Sequence, residues 1–184
     1  MRIIILGAGR VGFTVASNLS NENIDITLID KSQSVIDAAC ERLDVSAICG
    51  NVSHPDVLES AGIKHADIVI AATDSDETNM MACQVAHHLF KVPQKIARVR
   101  AKTFLDVQDQ LFNANAIPID VIINPENEIV QFIKSLILHP GSQQVLSFAN
   151  GTLSLVETKC NQDCALIGKS LAELTQQLQG IYAR

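Results

Sequence analysis

The feature that most constrains this chain is a repeated alternation of short aliphatic runs with segments of helical period. The runs are Ile3–Leu6, Ile26–Ile29, Val45–Ile48, Ile68–Ala72, Ile96–Val99 and Val121–Ile123. Apart from Thr27, Ser46 and Arg98, these runs are continuously apolar rather than alternating, so the strands are expected to be buried on both faces. Between them, Val11, Val15 and Leu19 share one helical face, as do Val35, Ile36, Ala39 and Leu43. Helical segments are also expected over Pro55–Ala61, Ser75–Phe90, Phe104–Phe112 and Glu126–Leu138. Strand–helix repeats of this kind predict an α/β fold. The expected form is a doubly wound, six-stranded parallel Rossmann-like sheet, with right-handed crossovers and helices on both sides.

The pattern breaks at His139-Pro140-Gly141, a turn signal. The expected organisation is a domain over residues 1–138, a linker over 139–143, and the start of a small α+β subdomain over 144–184. In that last part, Val145–Phe148 and Thr152–Val156 flank Asn150-Gly151, a hairpin signal. Leu171, Leu174 and Leu178 suggest a short helix. Fourteen basic against 20 acidic residues give a net charge of −6, and aromatics are 4% without tryptophan. This composition argues against nucleic acid as a partner, because neither a cationic surface nor stacking platforms are evident. No apolar run reaches the roughly 18 residues of a membrane span. With five cysteines, an odd number, the chain reads as a cytoplasmic protein with reduced thiols.

Gly7-Ala8-Gly9-Arg10-Val11-Gly12 is a G-x-G-x-x-G between the first strand and the first helix. Asp30, with Lys31 beside it, ends the next strand. That combination is a dinucleotide-binding signature. Gly7 permits the tight turn, Gly9 lets backbone approach a diphosphate, and Gly12 lets the helix pack on the sheet. The helix N-terminus offers free N–H groups to the anion. Asp30 suits the two hydroxyls of an adenosine ribose and repels a 2′-phosphate, favouring NAD or an adenine nucleotide over NADP. Arg10 reads either as a phosphate partner or as a solvated helix start. Asn51, after Gly50, reads either as an adenine-edge partner or as a plain turn residue.

Thr73 and Asp74, after the fourth strand, are expected to line the ligand crevice. Asp76 and Glu77 read as helix-start acids, and Asp74 with Glu77 as a capping pair. Arg98 and Arg100 share a strand face; on a buried strand they need an anionic partner, either phosphate or a nearby carboxylate, and on an edge strand both side chains stand in water. In Asn124-Pro125-Glu126, Asn124 caps a helix, and Glu126 either favours the helix dipole or ligates a cation near a nucleotide. Cys160-x-x-x-Cys164 has no second ligand pair for zinc, and His87-His88 cannot converge on one ion. Cys40, Cys49 and Cys83 fit aliphatic core positions. No catalytic nucleophile or acid–base pair can be argued from spacing, so the expectation is a non-enzymatic sensor. The rival is a small NAD-dependent oxidoreductase, or the cofactor half of one.

Gly7–Gly12, Asp30, Gly50-Asn51, Ala71–Asp76, Asn79, Arg98-Val99-Arg100 and Asn124-Pro125-Glu126 together resemble the RCK (or KTN) domains of the regulatory subunits of bacterial Trk potassium-uptake systems. Leu166–Leu174 resembles the start of that family's C-terminal subdomain. The resemblance implies binding of NAD(H) and of ATP or ADP, through Gly7 to Val11, Asp30, Thr73, Asp74 and Arg98. It aligns Glu126 with a glutamate that can meet a cation. It also implies dimers and tetrameric rings, a membrane potassium-transporter partner, and a peripheral place at the inner face of the cell membrane. Asn51 departs from the family, which often has an acid there. The family also carries two such halves in tandem, of which this chain has one. The apolar stripe Ile129, Val130, Ile133, Leu136 and Ile137, with Phe132 beside it, is expected to bury partly against a second copy.

Overall fold

The computed structural model describes residues 1–148, 153–159, 167–170 and 173. Packing divides the chain into two compact units, Met1–Pro125 and Glu126–Arg184. In the first unit, six strands form one sheet: β1 (Arg2–Leu6), β2 (Asp25–Asp30), β3 (Ser46–Cys49), β4 (Ile68–Ala71), β5 (Gln94–Arg98) and β6 (Val121–Ile123). Their order is β3-β2-β1-β4-β5-β6 and every pairing is parallel. The expected fold class is therefore the observed one. The order reverses between β1 and β4, which opens a crevice beyond their carboxyl ends.

The core follows from alternation along β1. Ile3 and Ile5 pack with Leu28, Ala16 of α1 (Arg10–Leu19), and Ile36 and Ala39 of α2 (Gln33–Cys40). Ile4 and Leu6 face the other way. They pack with Val69, Leu58 of α3 (Pro55–Ser60), and Ala82, Cys83 and Ala86 of α4 (Asp76–His88). Successive side chains of a strand point to opposite faces, so one aliphatic run serves two cores. Burial of each such side chain is worth about 1.5–3 kcal/mol.

Boundaries moved where local chemistry outweighed apolar content. The fourth helix begins at Asp76 because Ser75 caps it, accepting from Thr78 N at 3.1 Å. The expected Asp74–Glu77 pair is not the cap. The segment 104–112 is two short helices, α5 (Lys102–Leu105) and α6 (Gln108–Leu111), not one. Arg100 lies beyond the end of β5. Cys83 is buried as expected, but Cys40 and Cys49 are exposed and leave the core list. Lys95 is 3% exposed. Its Nζ lies 2.8 Å from Asp120 Oδ2 and also donates to the Val92 and Pro93 carbonyls.

The second unit contains α7 (Pro125–Leu138, which starts at the unit boundary) and two antiparallel strands, β7 (Ser142–Phe148) and β8 (Leu153–Thr158). The expected break at 139–143 separates α7 from β7, whereas packing divides the chain one helix earlier. No residue of α7 is buried. The Asn150-Gly151 turn, Cys160, Cys164, and Leu171, Leu174 and Leu178 lie outside the described residues. Among the described residues, no helix is long and apolar enough to cross a membrane.

Burial pushes the Cys83 thiol up from 9.0 to about 12; the Lys95 charge opposes this and Asp120 adds to it. The folded state keeps this thiol protonated while the unfolded chain ionises, so the stabilising effect is complete below pH 9 and lost as pH climbs toward 12. Urea denaturation across that range is expected to show an alkaline loss of stability that is smaller in Cys83→Ala. Parallel curves for the two proteins would contradict the assignment.

Candidate nucleotide site

The crevice is built from four strand ends. At β1, Gly7 adopts φ +99°, and its N–H donates to the Ile29 carbonyl at 2.7 Å. A Cβ on Gly7 would lie 2.9 Å from Thr73 N, so the turn passes too close to the β4 end for a side chain. A Cβ on Gly12 would lie 1.8 Å from the Gly7 carbonyl oxygen. Gly9 is different: a Cβ there would meet nothing within 4 Å. The protein's own packing explains Gly7 and Gly12. At Gly9 it leaves room for a group to approach the backbone.

The capping position just before α1 is Gly9, which has no side chain to cap the helix, and the first turn holds no acid. The first N–H groups of a helix have no acceptor within it. Together with the helix dipole they form an anion-receptive end. Helix α4 contrasts sharply. Ser75 caps it and Asp76 and Glu77 occupy its first turn. Phosphate is thus favoured at α1 and disfavoured at α4. Among the described residues no group of three or more His, Cys, Asp or Glu side chains is placed to hold a metal ion. Glu126 lies in the first turn of α7.

Asp30 lies against the glycine turn. Its Oδ2 accepts from Ala8 N at 2.8 Å and its Oδ1 from Ser32 N at 2.9 Å. A carboxylate has about four lone-pair sites, so capacity remains for sugar hydroxyls. Sequence reasoning assigned Asp30 to a ligand and missed that it also pins the loop. Arg10 and Lys31 are exposed and Val11 is half-buried. Asn51 Oδ1 closes a turn by accepting from Ser53 N at 3.1 Å and Ser53 Oγ at 2.9 Å. Of its two readings, the turn is the one its hydrogen bonds display.

Across the crevice, Thr73 is half-buried and Asp74 exposed at the end of β4, with half-buried Arg98 at the end of β5. Asp76 was read as a simple helix-start acid and proves to be more. It is 6% exposed, and its Oδ2 accepts from Arg100 N and Ala101 N, each at 2.8 Å. Arg100 finds the anticipated carboxylate, with Nε 3.6 Å from Asp76 Oδ1, and donates through Nη2 to the Asp74 carbonyl. Asn79, a motif member with no assigned contact, is completely buried and bonded to Thr73 and to the Arg98 carbonyl. Its signal in the sequence was its place one turn after Asp76 on α4.

These elements define a Rossmann-like α/β domain with an anion-receptive crevice at its topological switch point. The chain belongs to the TrkA-N domain family, whose profile matches residues 3–125. It is 44% identical, over its whole length, to the Trk system potassium uptake protein TrkA of Vibrio alginolyticus, and covers 40% of that protein. The chain therefore spans about two fifths of the length of that curated relative. Among solved structures it resembles the TrkA-N domain of the inner membrane protein ybaL from Escherichia coli. That match has a TM-score of 0.63 at 20% identity and covers 75% of this chain and 96% of the other. It also resembles the GsuK channel bound to NAD, with a TM-score of 0.58 at 18% identity, covering 70% of this chain and 22% of the other. GsuK bound to ADP matches with a TM-score of 0.60 at 23% identity, covering 75% and 34%. At these identities the structural likeness is one of fold.

Replacing Asp30 with alanine removes both pins on the loop and the acceptor facing the sugar. Asp30→Ala is expected to weaken NADH binding by about 1.5–3 kcal/mol, the range for hydrogen bonds to a charged group. Calorimetric affinity equal to that of the unaltered protein would remove Asp30 from the site.

Proposed function

We propose that this chain is a nucleotide-sensing regulatory element of a potassium-uptake system, not an enzyme. The observation that carries the ligand reading is the open helix end beside Gly9, with Asp30 held against the same turn. NAD(H) is the proposed ligand, with ATP or ADP as alternatives in the same crevice. Gly7, Ala8, Gly9, Arg10, Val11 and Gly12 would cradle the diphosphate. Asp30, with Lys31 nearby, would take the adenosine ribose, and Thr73, Asp74 and Arg98 the far side. The structures bearing NAD and ADP in this fold support that choice.

The potassium-uptake reading rests on the full-length likeness of this chain to part of a protein named for that role. The proposed partner is a membrane potassium transporter of the Trk type, approached from the cytoplasmic side. Ligand state would be transmitted through the geometry of a dimer or tetrameric ring. A ligand shifts such an equilibrium only by binding its states with different affinity.

Thermal denaturation with NAD, NADH, ATP, ADP and NADP tests the ligand set, since a ligand that binds the folded state raises stability with the logarithm of its concentration over Kd. NADH and ADP are expected to raise the midpoint, and NADP to raise it least because Asp30 opposes a 2′-phosphate. A panel with no shift for any nucleotide would dismiss the sensor reading.

The proposed seam between copies is the stripe on α7, where Ile133 is 50% and Ile137 71% exposed. Light scattering on an Ile133→Asp, Ile137→Asp double variant is expected to give a smaller species than the parent. An unchanged mass would eliminate the stripe as the seam.

A further inference from the structure

The wall of the crevice opposite the glycine turn is organised by two buried side chains on one face of α4. Asn79 Oδ1 accepts from Thr73 N at 2.9 Å and from Thr73 Oγ1 at 2.7 Å. Its Nδ2 donates to the Arg98 carbonyl at 2.9 Å and to the Thr73 carbonyl at 3.3 Å. A side-chain amide has two N–H donors and one oxygen with two lone pairs. All of that capacity is spent on the ends of β4 and β5. One turn earlier, Asp76 holds the backbone of Arg100 and Ala101, while Arg100 reaches back to the Asp74 carbonyl.

The segment after β4 and the segment after β5 are therefore joined through α4 rather than only through the sheet. A fully satisfied buried amide is rigid, because every alternative arrangement strands a polar group out of water. No apolar residue of similar size could substitute. Thr73 N, Thr73 Oγ1 and the Arg98 carbonyl would each lose a partner. Such a device goes beyond supporting the strands, since the β4–β5 ladder already pairs Ile68 through Ala71 with Gln94 through Ala97. Asn79 takes over just beyond the last of those pairs.

We propose that Asn79 is a positioning residue for the nucleotide site, assisted by Asp76. It sets the spacing of Thr73 and Arg98, so that the far half of a dinucleotide meets both at once. This rests on the nucleotide reading above. The near half of the site, at Gly7–Gly12 and Asp30, has its own pins in the Ile29 carbonyl and the Asp30 carboxylate, and meets the α4 network only where Gly7 packs on the Thr73 backbone. The consequence is selective by ligand. A mononucleotide that occupies only the near half is indifferent to Asn79, whereas a dinucleotide that spans the crevice is not.

The test is a pair of fluorescence and calorimetric titrations, with NADH and AMP, on the parent chain and on Asn79→Asp. This isosteric change keeps the acceptor toward Thr73 and removes the donors to the Arg98 and Thr73 carbonyls. NADH affinity is expected to fall by about tenfold or more, a loss on the scale of one hydrogen bond, while AMP affinity changes less than about twofold. Equal losses for both ligands, or no loss for either, would overturn the positioning role. If Asn79→Asp does not fold, the same titrations on Asp76→Asn decide: a loss confined to NADH is expected, and equal losses for both ligands or none for either would overturn the role. If the parent chain binds neither NADH nor AMP, the nucleotide reading itself falls, a result distinct from the others.

Discussion

Among the described glycines the tightest clearance is between Gly12 and the Gly7 carbonyl, where even a methyl group would stand 1.8 Å from oxygen. That clearance lets α1 begin directly over the end of β1. Had the helix been held off by one side chain, its N–H groups would aim past the crevice. The Gly7 turn adds the second constraint by running within van der Waals distance of the Thr73 backbone. Two strand ends and a helix start are thus brought together by the absence of side chains, and everything polar in the site is arranged around that meeting.

Charge is then distributed by helix. Helix α1 keeps an open end with no acid in its first turn, whereas α4 is capped by Ser75 and carries Asp76 and Glu77. The macrodipole favours an anion at both starts equally; the side chains decide which start retains that preference. Asp30 completes the asymmetry by standing at the edge of the open end, bonded to Ala8 and Ser32. A diphosphate between them would meet N–H donors on one side and hand its sugar to a carboxylate on the other.

The sheet was legible because its information is local. Ile3–Leu6 and Ile68–Ala72 are aliphatic without interruption, and only burial on both faces makes that sequence economical. The glycine loop was legible for a similar reason, since Gly7 and Gly12 are explained by contacts within a short stretch and one neighbouring turn. What escaped were links between distant segments. Asp76 bonds to residues 24 and 25 positions away, and Asn79 reaches Arg98 across 19. A single sequence offers no periodicity for such pairs. Asp76 therefore looked like an ordinary helix-start acid, which its position also permits. Cys40 and Cys49 failed for another reason: cysteine is small and mildly apolar, so its presence next to a strand or helix does not reveal which side it faces.

The two walls of the crevice thus hold shape by different means. The glycine wall relies on backbone clearance and one ionised carboxylate, and is built within a single β–α–β unit. The opposite wall relies on a neutral amide and a buried carboxylate–guanidinium contact that join two successive units. A short ligand seated at the first wall leaves the second unengaged, and a longer one bridges both. Because the second wall includes the start of the loop leading to α5, bridging would couple occupancy to that loop in a way that half-occupancy cannot. Ligands sharing one adenosine end could then bias two conformations of the same protein in different degrees, as a regulatory site requires.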